Sequence, residues 1–207
     1  ADDLESLLYV ANSASIPLHI WQSRVADISR PDFCVLDLDP KEAPFADVVR
    51  IALYLKELCD EIQLPSFVKT SGSTGLHVLV PLGRQVTYEH SRNIGHLLAL
   101  MAVRELEGIA TVARLPSQRE GKVYVDFLQN GHGRLIVAPY CVRPLPGAPV
   151  SAPLDWSEVD DGLSIADHTI RTVPERMATH DDPMRDVLMR RPDLGYSLAR
   201  LSELLGG

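Results

Sequence analysis

The chain holds 207 residues with a formal net charge of −8, 45% hydrophobic and 23% charged side chains, which excludes a mainly disordered protein. No apolar run approaches the roughly 18 residues that a membrane helix needs, and no basic segment followed by an apolar one opens the chain, so a soluble cytoplasmic α/β-type protein is expected. Cys34, Cys59 and Cys141 stand far apart without a CxxC pair, which argues against a disulfide framework and a zinc knuckle.

In chain order, Leu18-His19-Ile20-Trp21 alternates as a short strand-like run. Phe33–Asp39 reads as a strand by its β-branched and aromatic content and ends at Pro40. Ala46–Ile62 repeats apolar residues at 48, 49, 52, 55, 58, 59 and 62, the period of an amphipathic helix. Ser66–Thr70 and Leu76–Leu82 are short strands joined by the turn-rich SGSTG. His90–Glu107 predicts a second helix with Ile94, Leu97, Leu98 and Met101 on one face. Thr111–Leu115, Lys122–Gln129 and Leu135–Tyr140 read as strands. This β-α-β-β-α-β order matches the split βαβ, ferredoxin-like unit, an α+β class with flanking helices. From about residue 141 the chain turns Pro-rich (Pro144, Pro146, Pro149, Pro153) and should cross the surface as an extended segment. Asp181–Leu205 closes with weaker helical signals. The whole of 1–207 is expected to form one domain, with 144–207 as its crossing and C-terminal helical part.

Charge is distributed unevenly. Residues 1–63 carry a net −7, residues 64–143 a net +4, and residues 144–207 a net −5. The protein lacks the footprint of a sequence-independent nucleic-acid binder, and its basic middle suits an anionic ligand held at one site.

The sharpest chemical feature is Val35-Leu36-Asp37-Leu38-Asp39-Pro40. Residues i and i+2 of a strand share a face, so Asp37 and Asp39 project together while Leu36 and Leu38 face the core. Carboxylates that close repel each other unless a cation lies between them, and oxygen ligands suit Mg²⁺ or Mn²⁺. Asp126 interrupts a second apolar strand, VYVDF, where an unpaired charge is costly. A ferredoxin-like sheet can make the first and last strands neighbours, which sets Asp126 beside Asp37 and Asp39. Three such carboxylates form the usual cage for two metals in phosphoryl transfer.

Between the two middle strands, Ser71-Gly72-Ser73-Thr74-Gly75 offers backbone N–H and hydroxyl donors to phosphate, although it is not a P-loop. His77 follows, either as a phosphate donor or as a core histidine. Arg119 and Arg143 flank the third strand as possible phosphate forks. His90, His96, His132, His168 and His180 show no metal-site spacing.

Taken together, DLDP, KTSGxxGLHVxVPL, GKVYVDFLQN and APYxVRPxPGAPVSxPL strongly resemble the polymerase domain of bacterial DNA ligase D, in the archaeo-eukaryotic primase superfamily. The resemblance runs from about Leu4 to Leu205. It implies a ferredoxin-like, RRM-like primase-polymerase core with a mixed, mainly antiparallel sheet. It also implies two catalytic metals, Mn²⁺ or Mg²⁺, on Asp37, Asp39 and Asp126. Ser71, His77, Arg119 and Arg143 would hold the triphosphate with the Thr74-Gly75 turn, and His19 would be an active-site neighbour. The implied activity is addition of nucleotides, ribonucleotides preferred, to DNA ends or gaps in non-homologous end joining. Ligase and Ku-like proteins would be partners, and no membrane is involved.

The family commonly has a lysine where this chain has Thr74, which removes a phosphate contact of the order of 1–3 kcal/mol. Its members also carry a further N-terminal region that contacts DNA and its 5′-phosphate, so a short form or truncated chain with weaker DNA-end binding is expected. Two alternatives remain open at this point. One is a nucleotide- or DNA-binding module of the same fold with little catalysis. The other is a DxD phosphatase of the haloacid-dehalogenase type, against which Pro40 and the missing later lysine motif count.

Overall fold

The computed structural model describes residues 3–206. Helix α1 (Leu4–Asn12) is capped by Asp3, whose side chain accepts from the Ser6 N–H, and buries none of its residues. Strand β1 (His19–Ile20) follows, then β2 (Phe33–Asp39), α2 (Phe45–Glu61), β3 (Phe67–Thr70), β4 (Leu76–Pro81) and α3 (Tyr88–Glu105). The second half supplies β5 (Ala110–Thr111), β6 (Val123–Asp126), β7 (Ile136–Val137), β8 (Pro153–Leu154), α4 (Thr172–Met177) and α5 (Leu194–Gly206).

Six strands form one sheet in the order β5-β6-β2-β4-β3-β8, antiparallel throughout except for the parallel β5–β6 pair. Within it, β2-α2-β3-β4-α3-β6 is the split βαβ unit, with β2 between β4 and β6. The fold is therefore α+β with a mixed sheet and flanking helices, as the sequence pattern implies.

Alternation along the strands divides the sheet into two faces. Cys34, Leu36, Leu38, Val68, Leu76, Val78, Val80, Val123 and Val125 turn toward α2 and α3 and are buried. Val48, Val49, Ala52 and Leu55 of α2 and Ile94 and Leu98 of α3 close over them, the residues that the helical repeats single out. Each such aliphatic contributes about 1.5–3 kcal/mol by burial. Leu201 of α5 joins the same core, so the C-terminal part packs against the same sheet.

The opposite face packs Phe33, Val35, Leu79 and Ile136 with Met184 and Val187 at one end, and it also buries Lys69 and His77. Its other end, carrying Asp37 and Asp39, is left open.

Several expectations change. The Thr111–Leu115 strand stops after Thr111, whose hydroxyl accepts from the Ala113 N–H, and Pro116 then opens a 3₁₀ turn. Leu135–Tyr140 pairs only at Ile136–Val137, and with β1 in a separate ribbon rather than in the main sheet. Pro144–Gly147 is exposed as expected but forms a turn rather than an extended crossing, and Pro149–Leu154 is buried and adds β8 to the sheet edge. Proline is tolerated there because an edge strand leaves one side of its backbone unpaired. The helical signal near the C-terminus becomes regular only from Leu194, after Pro192.

The three cysteines are free and buried, and burial pushes the Cys34 and Cys59 thiols up to about 12. None of the described helices is long and apolar enough to cross a membrane.

Candidate active site

The register of β2 builds the centre of the site. Asp37 lies opposite Asp126 of β6 on one side and opposite His77 of β4 on the other, and His77 faces Lys69 of β3. Asp126, Asp37, His77 and Lys69 thus form a polar row across four strands, on the face away from the helices. Where β6 ends, Asn130 continues its work: its side chain accepts from Val35 N–H and donates to Val35 C=O, both at 2.7 Å. Asn130 thus replaces the ladder at the Val35 end of β2, while β6 itself pairs with the carboxylate end from Asp37 to Asp39.

The SGSTG turn is seated directly on this end of β2. A Cβ at Gly75 would lie 1.9 Å from the Leu38 carbonyl oxygen, and Gly72 takes φ +68°, so both glycines are required. Ser71 Oγ accepts from the Ser73 and Gly75 N–H groups at 3.1 Å, which closes the turn. The hydroxyl proton of Ser71 stays available to a ligand.

Two cavities meet at the carboxylates. The first, of about 280 Å³, is lined by Asp37, Asp39, Ser71, Thr74, Gly75, His77, Arg143 and His19, so His19 on β1 reaches the same space. Arg143 donates to the Ser71 carbonyl at 3.0 Å, while its Nε is buried with no partner among the described residues. The second, of about 540 Å³, is lined by the three aspartates together with Arg92, Arg114, Arg119, Arg134 and Tyr124. Arg92, Arg114 and Arg134 are exposed and form no ion pair among the described residues. Arg119 lies at this second cavity rather than the first. It donates to Asp39 Oδ2 at 2.8 Å and stacks on Tyr124 at 4.4 Å, and its Nε also has no partner.

The charges differ across the row. Burial works against the Asp37 carboxylate, but His77, Lys69 and Arg143 outweigh it and hold its pKa below the usual range. Asp126 is shifted the other way: burial raises its pKa and the Asp37 charge adds to this, only partly offset by donors from Leu128 N–H, Tyr124 and Gln129. Burial lowers His77, with the Lys69 charge adding to it. Burial lowers Lys69 to about 7.

The backbone brings the three carboxylates together, yet their oxygens are turned to protein donors, Asp39 to Arg119 and Asp126 to Tyr124 and Gln129. Among the described residues, no three His, Cys, Asp or Glu side chains are arranged as a ready metal cage. The donor chemistry nonetheless fits a hard divalent cation. All three are oxygen ligands, and a cation beside Asp126 would offset the burial and the Asp37 charge that raise its pKa.

The sequence reading passes over Lys69, Tyr124, Gln129, Ser151 and the arginines at 92, 114 and 134. The alternation of β3 carries a signal for Lys69, since period two puts it on the face of Asp37. The arginines come from α3 and from two separate connections, and they leave no local pattern.

Residues 1–184 match the model of the family described as LigD, primase-polymerase domain. The chain is 33% identical over 199 residues to the multifunctional non-homologous end joining protein LigD of Pseudomonas aeruginosa, covering 95% of this chain and 24% of that protein. It is 33% identical over 187 residues to the bifunctional non-homologous end joining protein LigD of Bacillus subtilis, covering 89% and 30%. The chain thus spans between a quarter and a third of the length of these curated relatives. Among solved structures it resembles the polymerase domain of Mycobacterium tuberculosis ligase D in complex with DNA, with a TM-score of 0.85 and 29% identity over 93% of this chain and 70% of that one. By the family match over residues 1–184 and its likeness to these relatives, this chain belongs to the LigD primase-polymerase domain family.

Proposed function

We propose that this chain is a metal-dependent nucleotidyltransferase that adds nucleotides, ribonucleotides in preference, to DNA 3′ ends or gaps during end joining. The observation that carries this reading is the row of carboxylates on β2 and β6 running directly between two arginine-lined cavities. A nucleotidyl transfer needs those three parts in that order: a triphosphate site, a metal site and a site for the strand that is extended.

In the first cavity, Arg143, His77, Ser71 and the Thr74-Gly75 turn would bind the triphosphate, and the unpartnered Arg143 Nε supports an anion there. Asp37, Asp39 and Asp126 would hold two Mn²⁺ or Mg²⁺ ions. Bound there, the metals neutralise the phosphates and activate a 3′-hydroxyl for in-line attack. Asp39 would hold metal in place of its Arg119 partner, and Arg119 would then face phosphate. In the second cavity, Arg92, Arg114 and Arg134 present cations without acidic partners toward a nucleic-acid backbone. His19 lines the first cavity and would border the nucleotide.

The proposed setting is the bacterial cytoplasm at a DNA break, beside ligase and Ku-like proteins. A phosphatase assignment is set aside by the family match. The competing reading is a binding module with little turnover, favoured by the side-chain contacts that keep Asp39 and Asp126 on protein donors.

Primer extension on 5′-phosphorylated gapped DNA tests the proposal, with Mn²⁺ and either NTPs or dNTPs. Incorporation by the wild type and not by Asp37→Ala, stronger with NTPs, is expected. Nucleotide binding with metal but without incorporation would favour the binding module.

A further inference from the structure

Lys69 sits within β3, and its side chain is fully buried. A lysine so placed is costly unless its N–H bonds find acceptors. Its Nζ lies 2.8 Å from His77 Nδ1 and 2.6 Å from Ser151 Oγ, both neutral groups.

Donor counting gives both bonds a direction. Ser151 spends its one O–H on the Thr70 carbonyl at 2.8 Å, so its oxygen accepts from Lys69. Nε2 of His77 lies 3.3 Å from Asp37 Oδ1, and an ionised carboxylate only accepts, so Nε2 carries the ring proton. Nδ1 of the neutral ring is then the acceptor and takes an N–H from Lys69. A lysine has three N–H bonds when charged and two when neutral, so the pattern closes in either form.

We propose that Lys69 is a positioning residue: it locks His77 in the Nε2–H tautomer and so keeps a donor aimed at Asp37 and at the cavity beside it. In the other tautomer a ring lone pair would face the carboxylate and any phosphate oxygen bound there, an acceptor against acceptors. Ser151, delivered by the buried crossing that forms β8, holds the lysine in line. The consequence for substrate rests on the nucleotide-binding reading of the first cavity; the tautomer itself does not.

The test is a long-range ¹H–¹⁵N correlation spectrum of the histidine rings in the whole chain, with His77 assigned by its loss in His77→Gln. The wild type is expected to show a protonated Nε2 and an unprotonated Nδ1. Lys69→Met, of similar length and without a donor, should move the His77 pattern toward Nδ1–H and raise the KM for nucleotide about tenfold, the scale of one hydrogen bond to a charged group. Ser151→Ala should lower the melting temperature while leaving His77 as Nε2–H.

A purely structural lysine would lower the melting temperature in both variants and leave the tautomer unchanged in Lys69→Met, which overturns the proposal. If Lys69→Met does not fold, the wild-type spectrum decides alone, since an Nδ1–H ring there overturns it. A tautomer shift in a protein that binds no nucleotide would uphold the lock and refute the substrate reading separately.

Discussion

Leu36 and Asp37 are adjacent on β2 and belong to different parts of the molecule. Leu36 is fully buried under α2 and α3, whereas the Asp37 side chain is a quarter exposed on the opposite face. One face of the sheet is closed by aliphatic packing and carries the stability. The other holds a polar row in which burial works against the charged forms of Asp126, His77 and Lys69, while their neighbours hold Asp37 ionised. A single strand with period-two alternation serves both, because side chains on opposite faces share a backbone and little else. The comparison teaches that stability and chemistry are separable here, residue by residue.

The largest expected effect is on the open face. Asp37→Ala or Asp39→Ala should reduce nucleotide incorporation on the order of a thousandfold, the scale of removing a main electrostatic contact to the transition state. Circular dichroism and thermal melting should stay close to wild type. Partial retention of activity in Asp37→Ala would break the separation of the two faces.

Leu36→Ala should do the reverse, costing about 2–5 kcal/mol in denaturant unfolding while the folded fraction keeps its rate. Gly75→Ala links the two faces, because its Cβ meets the Leu38 carbonyl of β2. It should cost about 3 kcal/mol or more and also lose nucleotide binding, since the turn is built on that close approach.

A smaller effect is expected at the second cavity. Replacing Arg92, Arg114 and Arg134 together by alanine should weaken DNA binding and reduce its log–log salt dependence by about one per arginine. Nucleotide affinity in the first cavity should be unchanged. An unaltered salt slope would place the DNA elsewhere.

The smallest concerns neither face. Glu158 pairs with Arg176 and accepts from the Asp155 N–H at 2.7 Å. Burial opposes its charge, but these partners outweigh burial and set its folded pKa below the unfolded value. The pair therefore stabilises the protein above the ordinary glutamate range, and that contribution is lost as the pH falls through the lower folded value. With the Glu158 side chain 30% exposed, the contribution is below about 1 kcal/mol. Glu158→Gln should flatten this part of the acid limb in melting experiments across pH.

Much of this division is legible in the sequence. The alternation in FCVLDLD places Leu36 and Leu38 opposite Asp37 and Asp39, and the β-α-β-β-α-β order makes the first and last strands of the unit neighbours. Those two facts put Asp126 opposite Asp37, as the ladder has it. The seat of the SGSTG turn is less legible, because the contact of Gly75 with Leu38 is tertiary. The buried Pro153 of β8 contradicts the usual reading of a Pro-rich stretch as surface, and the edge of a sheet permits it. Ser151, which arrives with β8, therefore leaves no trace at the position of Lys69. The Asp39–Arg119 pair is equally hidden, joining residues 80 positions apart.

The central claim is that Asp37, Asp39 and Asp126 hold divalent metal between the two cavities. Counting bound Mn²⁺ by electron paramagnetic resonance, with a non-hydrolysable nucleoside triphosphate present, tests it most directly. The account predicts two ions per wild-type chain and a loss of Mn²⁺ binding in Asp37→Ala and Asp126→Ala. The same Mn²⁺ count and affinity in all three proteins would contradict it.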